Sequence, residues 1–167
     1  VGTTFDTLFE EHKNTRIFVA TFASNVDRVQ QIINSAYKFG RKVCVEGRSM
    51  VSIIETARNL ECISIPENTL IEVEQMKDYP SEKQVIITTG SQGESMAALS
   101  RMAGGMHRKI TIGPGDTVIF SSNPIPGNEK SVTKVINELL RKGADVIFQD
   151  AHVSGHACQE EIKLIYS

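Results

Sequence analysis

Arg16-Ile-Phe-Val-Ala-Thr-Phe-Ala-Ser-Asn25 decides the fold, because an apolar β-branched run passes through a short turn straight into a helix. Residues 16–21 read as a strand. After Ser24-Asn25, the residues Val26, Val29, Ile32, Ile33, Ala36 and Tyr37 recur at helical spacing, and Gly40 stands where a C-cap glycine belongs. A strand that feeds a helix in this way is half of a crossover unit.

The same grammar repeats downstream. Residues 42–46 read as a second strand and 50–60 as the next helix. A strand over 84–89 leads through Gly90-Ser-Gln-Gly93 into a helix over 95–103, closed by Gly104-Gly105. A strand over 117–121 precedes the loop Ser122-Asn-Pro-Ile-Pro-Gly-Asn128, which Pro124 and Pro126 stiffen. Val132, Val135, Ile136, Leu139 and Leu140 then mark an amphipathic helix that Asn128 is placed to cap and Gly143 to end. The last strand is 145–148, and a short helix over 4–12 comes before the first. Only 61–80 is hard to read; a short strand near Ile63 and a turn or helix around 72–77 are expected. Alternating strands and helices predict a three-layer, Rossmann-like α/β domain with a mostly parallel sheet, spanning 1–167 as one domain.

Composition narrows the function. A chain of 167 residues can bury roughly 70% of its unfolded surface as one domain. The formal net charge of −2 argues against polyanion binding over the whole surface, so any nucleic-acid contact must be local. Cys44, Cys62 and Cys158 are odd in number and lack C-x-x-C spacing, which predicts reduced thiols and a cytoplasmic protein. No signal peptide or membrane-spanning run is present. The opening Val1-Gly-Thr-Thr and the abrupt close at Ser167 read as a piece of a longer chain.

Three strand-to-helix turns carry candidate chemistry, since helix starts in a parallel sheet present free N–H groups and partial positive charge to anions. In the first, Ser24 stands three residues before Asp27 like a capping box with a shorter acid; it serves as a helix cap, or as a cap that also meets phosphate. In the second, Gly90 and Gly93 permit close backbone approach to a ligand, or simply a tight turn. The third is chiefly a rigid loop. His107-Arg108-Lys109 forms a basic cluster, a solvated turn or a polyanion contact, and Arg41-Lys42 and Arg48 raise the same question.

His152-Val-Ser-Gly-His156 differs in kind. Gly155 favours a bent loop, two imidazoles can donate to phosphate or move a proton near neutral pH, and Ser154 can complete an anion pocket. Cys158 with His152 or His156 would supply three zinc-type donors without an evident fourth, so no metal site is expected in this chain. A nucleotide or sugar-phosphate binding module would use the same helix starts.

Thr21-Phe-Ala-Ser-Asn25, Gly47-Arg-Ser-Met50, Thr89-Gly-Ser-Gln-Gly-Glu94, Ala97-Ala-Leu-Ser-Arg101, Pro114-Gly-Asp116, Ser121-Ser-Asn-Pro-Ile-Pro-Gly-Asn128 and His152-Val-Ser-Gly-His156 together resemble, in order, the β-CASP domain of bacterial ribonuclease J. The resemblance implies a portion of a zinc-dependent RNA hydrolase with 5′-to-3′ exonuclease and endonuclease action in RNA decay and maturation. It implies that Ser24, Asn25 and Val26, with His152, Val153, Ser154, Gly155 and His156, hold phosphates of RNA, especially 5′-monophosphorylated RNA. His156 would be the catalytic group. Zinc would sit on a metallo-β-lactamase domain of the same chain, and the intact protein would form homo- or hetero-oligomers; a noncatalytic subunit is the variant reading. The family's zinc-binding His-x-His-x-Asp-His and its later Pro-x-His-Gly-Glu are absent from these residues, and the connection from Asp145 to His152 is shorter than the family's usual one.

Overall fold

Strand β1, Arg16–Ala20, sends Ile17 and Val19 into one apolar core and Phe18 and Ala20 into another. That period of two with both faces buried is what a central parallel strand requires. The computed structural model describes residues 4–149. The other strands are β2 (Lys42–Glu46), β3 (Gln84–Thr88), β4 (Asp116–Phe120) and β5 (Asp145–Phe148). All pair in parallel, in the order β2-β3-β1-β4-β5.

Helices α1 (Phe5–Glu11), α2 (Val26–Lys38) and α3 (Arg48–Asn59) cover one face, and α4 (Ala98–Ala103) and α5 (Glu129–Arg141) the other. The expected three-layer α/β architecture stands, with a sheet that is parallel throughout. No helix among the described residues is long and apolar enough to cross a membrane.

Residues 61–80 resist reading because they wrap around an edge. The extended contact lies at Leu70, not near Ile63: Val43 donates to Thr69 O and Ile71 donates to Val43 O, both at 2.8 Å. This pairing covers the open side of β2. The chain changes face there, since Ile63 and Ile65 pack with the α2–α3 core while Ile71, Val73 and Met76 join the α4–α5 core. A segment that passes from one face of the sheet to the other, rather than alternating between them, shows no single period. The 3-10 turn Val73–Asp78 then falls where a turn or helix near 72–77 is expected.

Helix α4 starts at Ala98 rather than at Ser95. Glu94 ties the intervening turn, its carbonyl accepting from Ala97 N at 3.1 Å and its carboxylate from Gln92 N at 3.0 Å. The turn before it rests on Gly93, at φ +74°. A Cβ there would lie 2.4 Å from the backbone carbon of Ser131 in α5. The close approach that Gly93 permits is therefore to a helix backbone, not to a ligand. Gly93→Ala combines a clash that backbone cannot yield to with a left-handed conformation, and should cost about 3 kcal/mol or more. Urea unfolding checks this, and a loss of less than about 1 kcal/mol would contradict the packing described.

Candidate functional site

The strand order places a crevice at the carboxyl ends of β1 and β4. From β1 the chain crosses to β2 through α2 on one face; from β4 it crosses the opposite way to β5 through α5 on the other face. The loops after these adjacent strands diverge, which is where open α/β sheets receive ligands. Ser121 N and Oγ both donate to Ala20 O, at 3.0 and 3.1 Å, knitting the two strand ends together. Just beyond, Thr21 Oγ1 and Ser122 Oγ are buried without a hydrogen-bond partner. Sequence reading passed over both hydroxyls, because a Thr or Ser at a strand end has no periodic signature.

In the turn after β1 the cap is Asn25, not Ser24. Asn25 Oδ1 accepts from Arg28 N at 3.1 Å. The capping-box reading misplaces the helix start by one residue. Asn25 N donates to Phe22 O and Val26 N to Ser24 O, each at 3.1 Å, so both amides are spent inside the turn. Val26 also buries its side chain in the core. Of the expected trio, Ser24 keeps a partly exposed hydroxyl and an amide with no backbone acceptor.

The second and third turns form one unit around Gln92, only 5% exposed. Its Oε1 accepts from Ile125 N at 2.7 Å and from Asn128 Nδ2 at 3.1 Å, while its Nε2 donates to Asn123 O at 3.1 Å. Asn128 stands at the N-cap of α5 without a side-chain capping bond, because that side chain is given to Gln92. Gly-Ser-Gln-Gly is thus a clamp on the neighbouring loop. The one long polar side chain between two glycines was the signal available for it.

Arg28 ties α2 to the end of β5. Its Nη1 donates to Gln149 Oε1 at 3.2 Å, its guanidinium lies 5.8 Å from the Phe5 ring centroid, and Gln149 N donates to Phe120 O at 2.9 Å. Burial holds the Arg28 pKa below the usual arginine value, opposed by the Asp27 carboxylate. A cation four residues before Ile32, on the apolar stripe of α2, was legible as a buried charge that needs a partner. Gln149 precedes His152 by three positions. His152, Val153, Ser154, Gly155 and His156 themselves lie outside the described residues, as does Cys158.

Several other polar groups are structural. His107 Nδ1 accepts from the amides of Lys109 and Ile110, at 3.2 and 3.1 Å, so its proton sits on Nε2, which meets Glu46 Oε2 at 3.0 Å. Arg41 donates to the carbonyls of Thr15, Gln84 and His12, and burial pushes its pKa down to about 10. Cys44 is pushed up to about 12 by burial and by the carboxylates of Glu46, Glu72 and Glu74, which keeps it an inert thiol. Among the described residues no three His, Cys, Asp or Glu side chains gather closely enough to hold a metal ion.

Residues 14–139 match the family model described as "Ribonuclease J, beta-CASP domain". The chain is 48% identical to a ribonuclease J of Helicobacter pylori strain J99 over 99% of its own length and 24% of that protein's. It is 50% identical to ribonuclease J 1 of Streptococcus pyogenes, over 91% of the chain and 28% of that protein. It is 45% identical to ribonuclease J2 of Bacillus subtilis, over 92% and 28%. The chain therefore spans about a quarter of the length of these relatives.

The cap assignment is directly testable. Asn25→Ala should lose about 1 kcal/mol of stability, while Ser24→Ala stays within about 0.5 kcal/mol. Paired urea melts check this; the reverse ranking would return the cap to Ser24.

Proposed function

The chain belongs to the β-CASP domain family of ribonuclease J, and we propose that it is the RNA-gripping portion of a larger cytoplasmic ribonuclease acting in RNA decay and maturation. Residues outside this chain, on a metallo-β-lactamase domain, carry the hydrolytic zinc. The observation that bears most weight is the Arg28–Gln149 bond, which ties the helix behind Ser24 to the strand end that leads toward His152. Two segments remote in sequence are thereby anchored to one rim.

That rim supports the following assignment of roles. Ser24 offers its hydroxyl and amide to a phosphate oxygen at the start of α2, where the helix dipole favours negative charge. The 152–156 segment adds imidazole and hydroxyl donors, and His156 neutralises or protonates the reacting phosphate group. Met96, 80% exposed, and Ile125, 48% exposed, stand on the loops after β3 and β4. Apolar side chains there suit burial against the partner domain of the same chain.

In the full-length protein, His156→Ala should lower kcat on 5′-monophosphorylated RNA by about 100-fold or more, with a much smaller change in KM. Unchanged kcat would remove His156 from the mechanism. Residues 1–167 alone, supplied with zinc and the same RNA, should bind weakly and cleave nothing; turnover that survives repurification would overturn the division of labour. Saturable mononucleotide binding with no preference for polymer would instead favour a nucleotide-binding module.

A further inference from the structure

We propose that Arg48 and Arg101 form a second phosphate contact for single-stranded RNA, at the β2 end of the carboxyl rim. This rests on the RNA reading above and extends it along the polymer. The two side chains line a cleft of about 410 Å³ together with Glu46, Gly47, Val51 and Glu55. Arg101 comes from α4 and Arg48 from the first turn of α3, so the cleft is built by elements on opposite faces of the sheet.

Among the described residues both arginines lack a side-chain partner, as several exposed cations do, and Arg101 is the arginine that also keeps a buried N–H unsatisfied. Lys109 is paired with Glu74, and Arg41 is consumed by three carbonyls. Arg101 Nε, by contrast, is buried without a hydrogen-bond partner. Neither Arg101 nor Arg48 makes a side-chain hydrogen bond or ion pair among the described residues. A buried guanidinium N–H with no acceptor is costly, and a phosphate oxygen is the acceptor its planar fork fits best.

The carboxylates in the cleft do not cancel this charge. Glu46 is held by His107 Nε2 at 3.0 Å. Glu55 lies two helical turns beyond Arg48 on α3, about 10 Å along the axis. Gly47 leaves the first turn of α3 without a side-chain cap, which adds a favourable dipole at the same end.

Position suggests polymer rather than a small anion. Strand β2 is separated from β1 by β3, so the arginines lie about 10 Å along the rim from the crevice at Ser24. A mononucleotide or dinucleotide in the crevice does not span that gap, whereas a longer strand laid over the rim does.

The test uses the full-length protein and compares a 5′-phosphorylated dinucleotide with a single strand of about twelve nucleotides. Substituting Arg48→Gln and Arg101→Gln together should flatten the dependence of log affinity on log salt by about 1.4 for the longer strand, as two lost phosphate contacts require. Affinity for the dinucleotide should not change. Arg48→Gln alone, at an exposed position that folding does not need, should flatten the slope by about 0.7, and the double lysine variant should restore it. Unaltered slopes, or equal weakening of both ligands, would overturn the second contact. Failure of the unaltered protein to bind either RNA would instead overturn the RNA reading itself.

Discussion

Burial of both sheet faces is the constraint on which everything else depends. Every strand is parallel, and β3 and β4 are buried along their whole length. Such a sheet has nowhere to keep polar chemistry except its two ends. At the amino ends, Arg16 and Asp116 close the register with a 2.8 Å ion pair, and Asp116 also accepts from Gly113 N at 2.9 Å. Even so, Gln84 at the start of β3 keeps a buried Oε1 without a hydrogen-bond partner there. The carboxyl end holds the orphan hydroxyls of Thr21 and Ser122, the amide of Ser24 and two unanswered arginines. Both ends hold unsatisfied polar atoms, and among the described residues the carboxyl end holds more of them.

How far this was legible depends on whether a segment keeps one regular period. Strands β2 and β5 match their sequence-read limits to the residue, and α2 follows its apolar stripe, because each keeps one regular repeat along its length. Residues 61–80 pass from one core to the other around the β2 edge, and no periodicity survives that passage. The site divides in the same way. A hydroxyl beside a helix start was visible at Ser24, although the cap it suggested belongs to Asn25. Chemistry that depends on partners far along the chain was not: Gln92 meets residues 31 to 36 positions away, and Arg28 meets Gln149 at a separation of 121.

The Gln92 clamp also changes the meaning of a glycine-rich turn. Flanked by Gly90 and Gly93, the turn has the outward form of an anion cradle, yet its freedom is used to seat Gln92 among the donors of the next loop and to lay Gly93 against α5. Three side-chain bonds to one buried amide hold the 122–128 loop in place more firmly than its prolines do, since proline restricts φ but fixes no distance between loops. A loop ordered in advance is entropy not spent on any ligand that meets it.

Electrostatics completes the argument for a local grip. The chain carries a net charge of −2, and several of its cations are committed internally: Arg16 to Asp116, Lys38 to Asp6, Lys109 to Glu74 and Arg41 to backbone carbonyls. A surface of this kind repels a polyanion at long range and attracts it only where charge is left uncompensated at short range. Affinity then depends on register. A phosphate that reaches a helix start or a free guanidinium gains a charge-assisted bond, while one displaced by a few ångströms gains little.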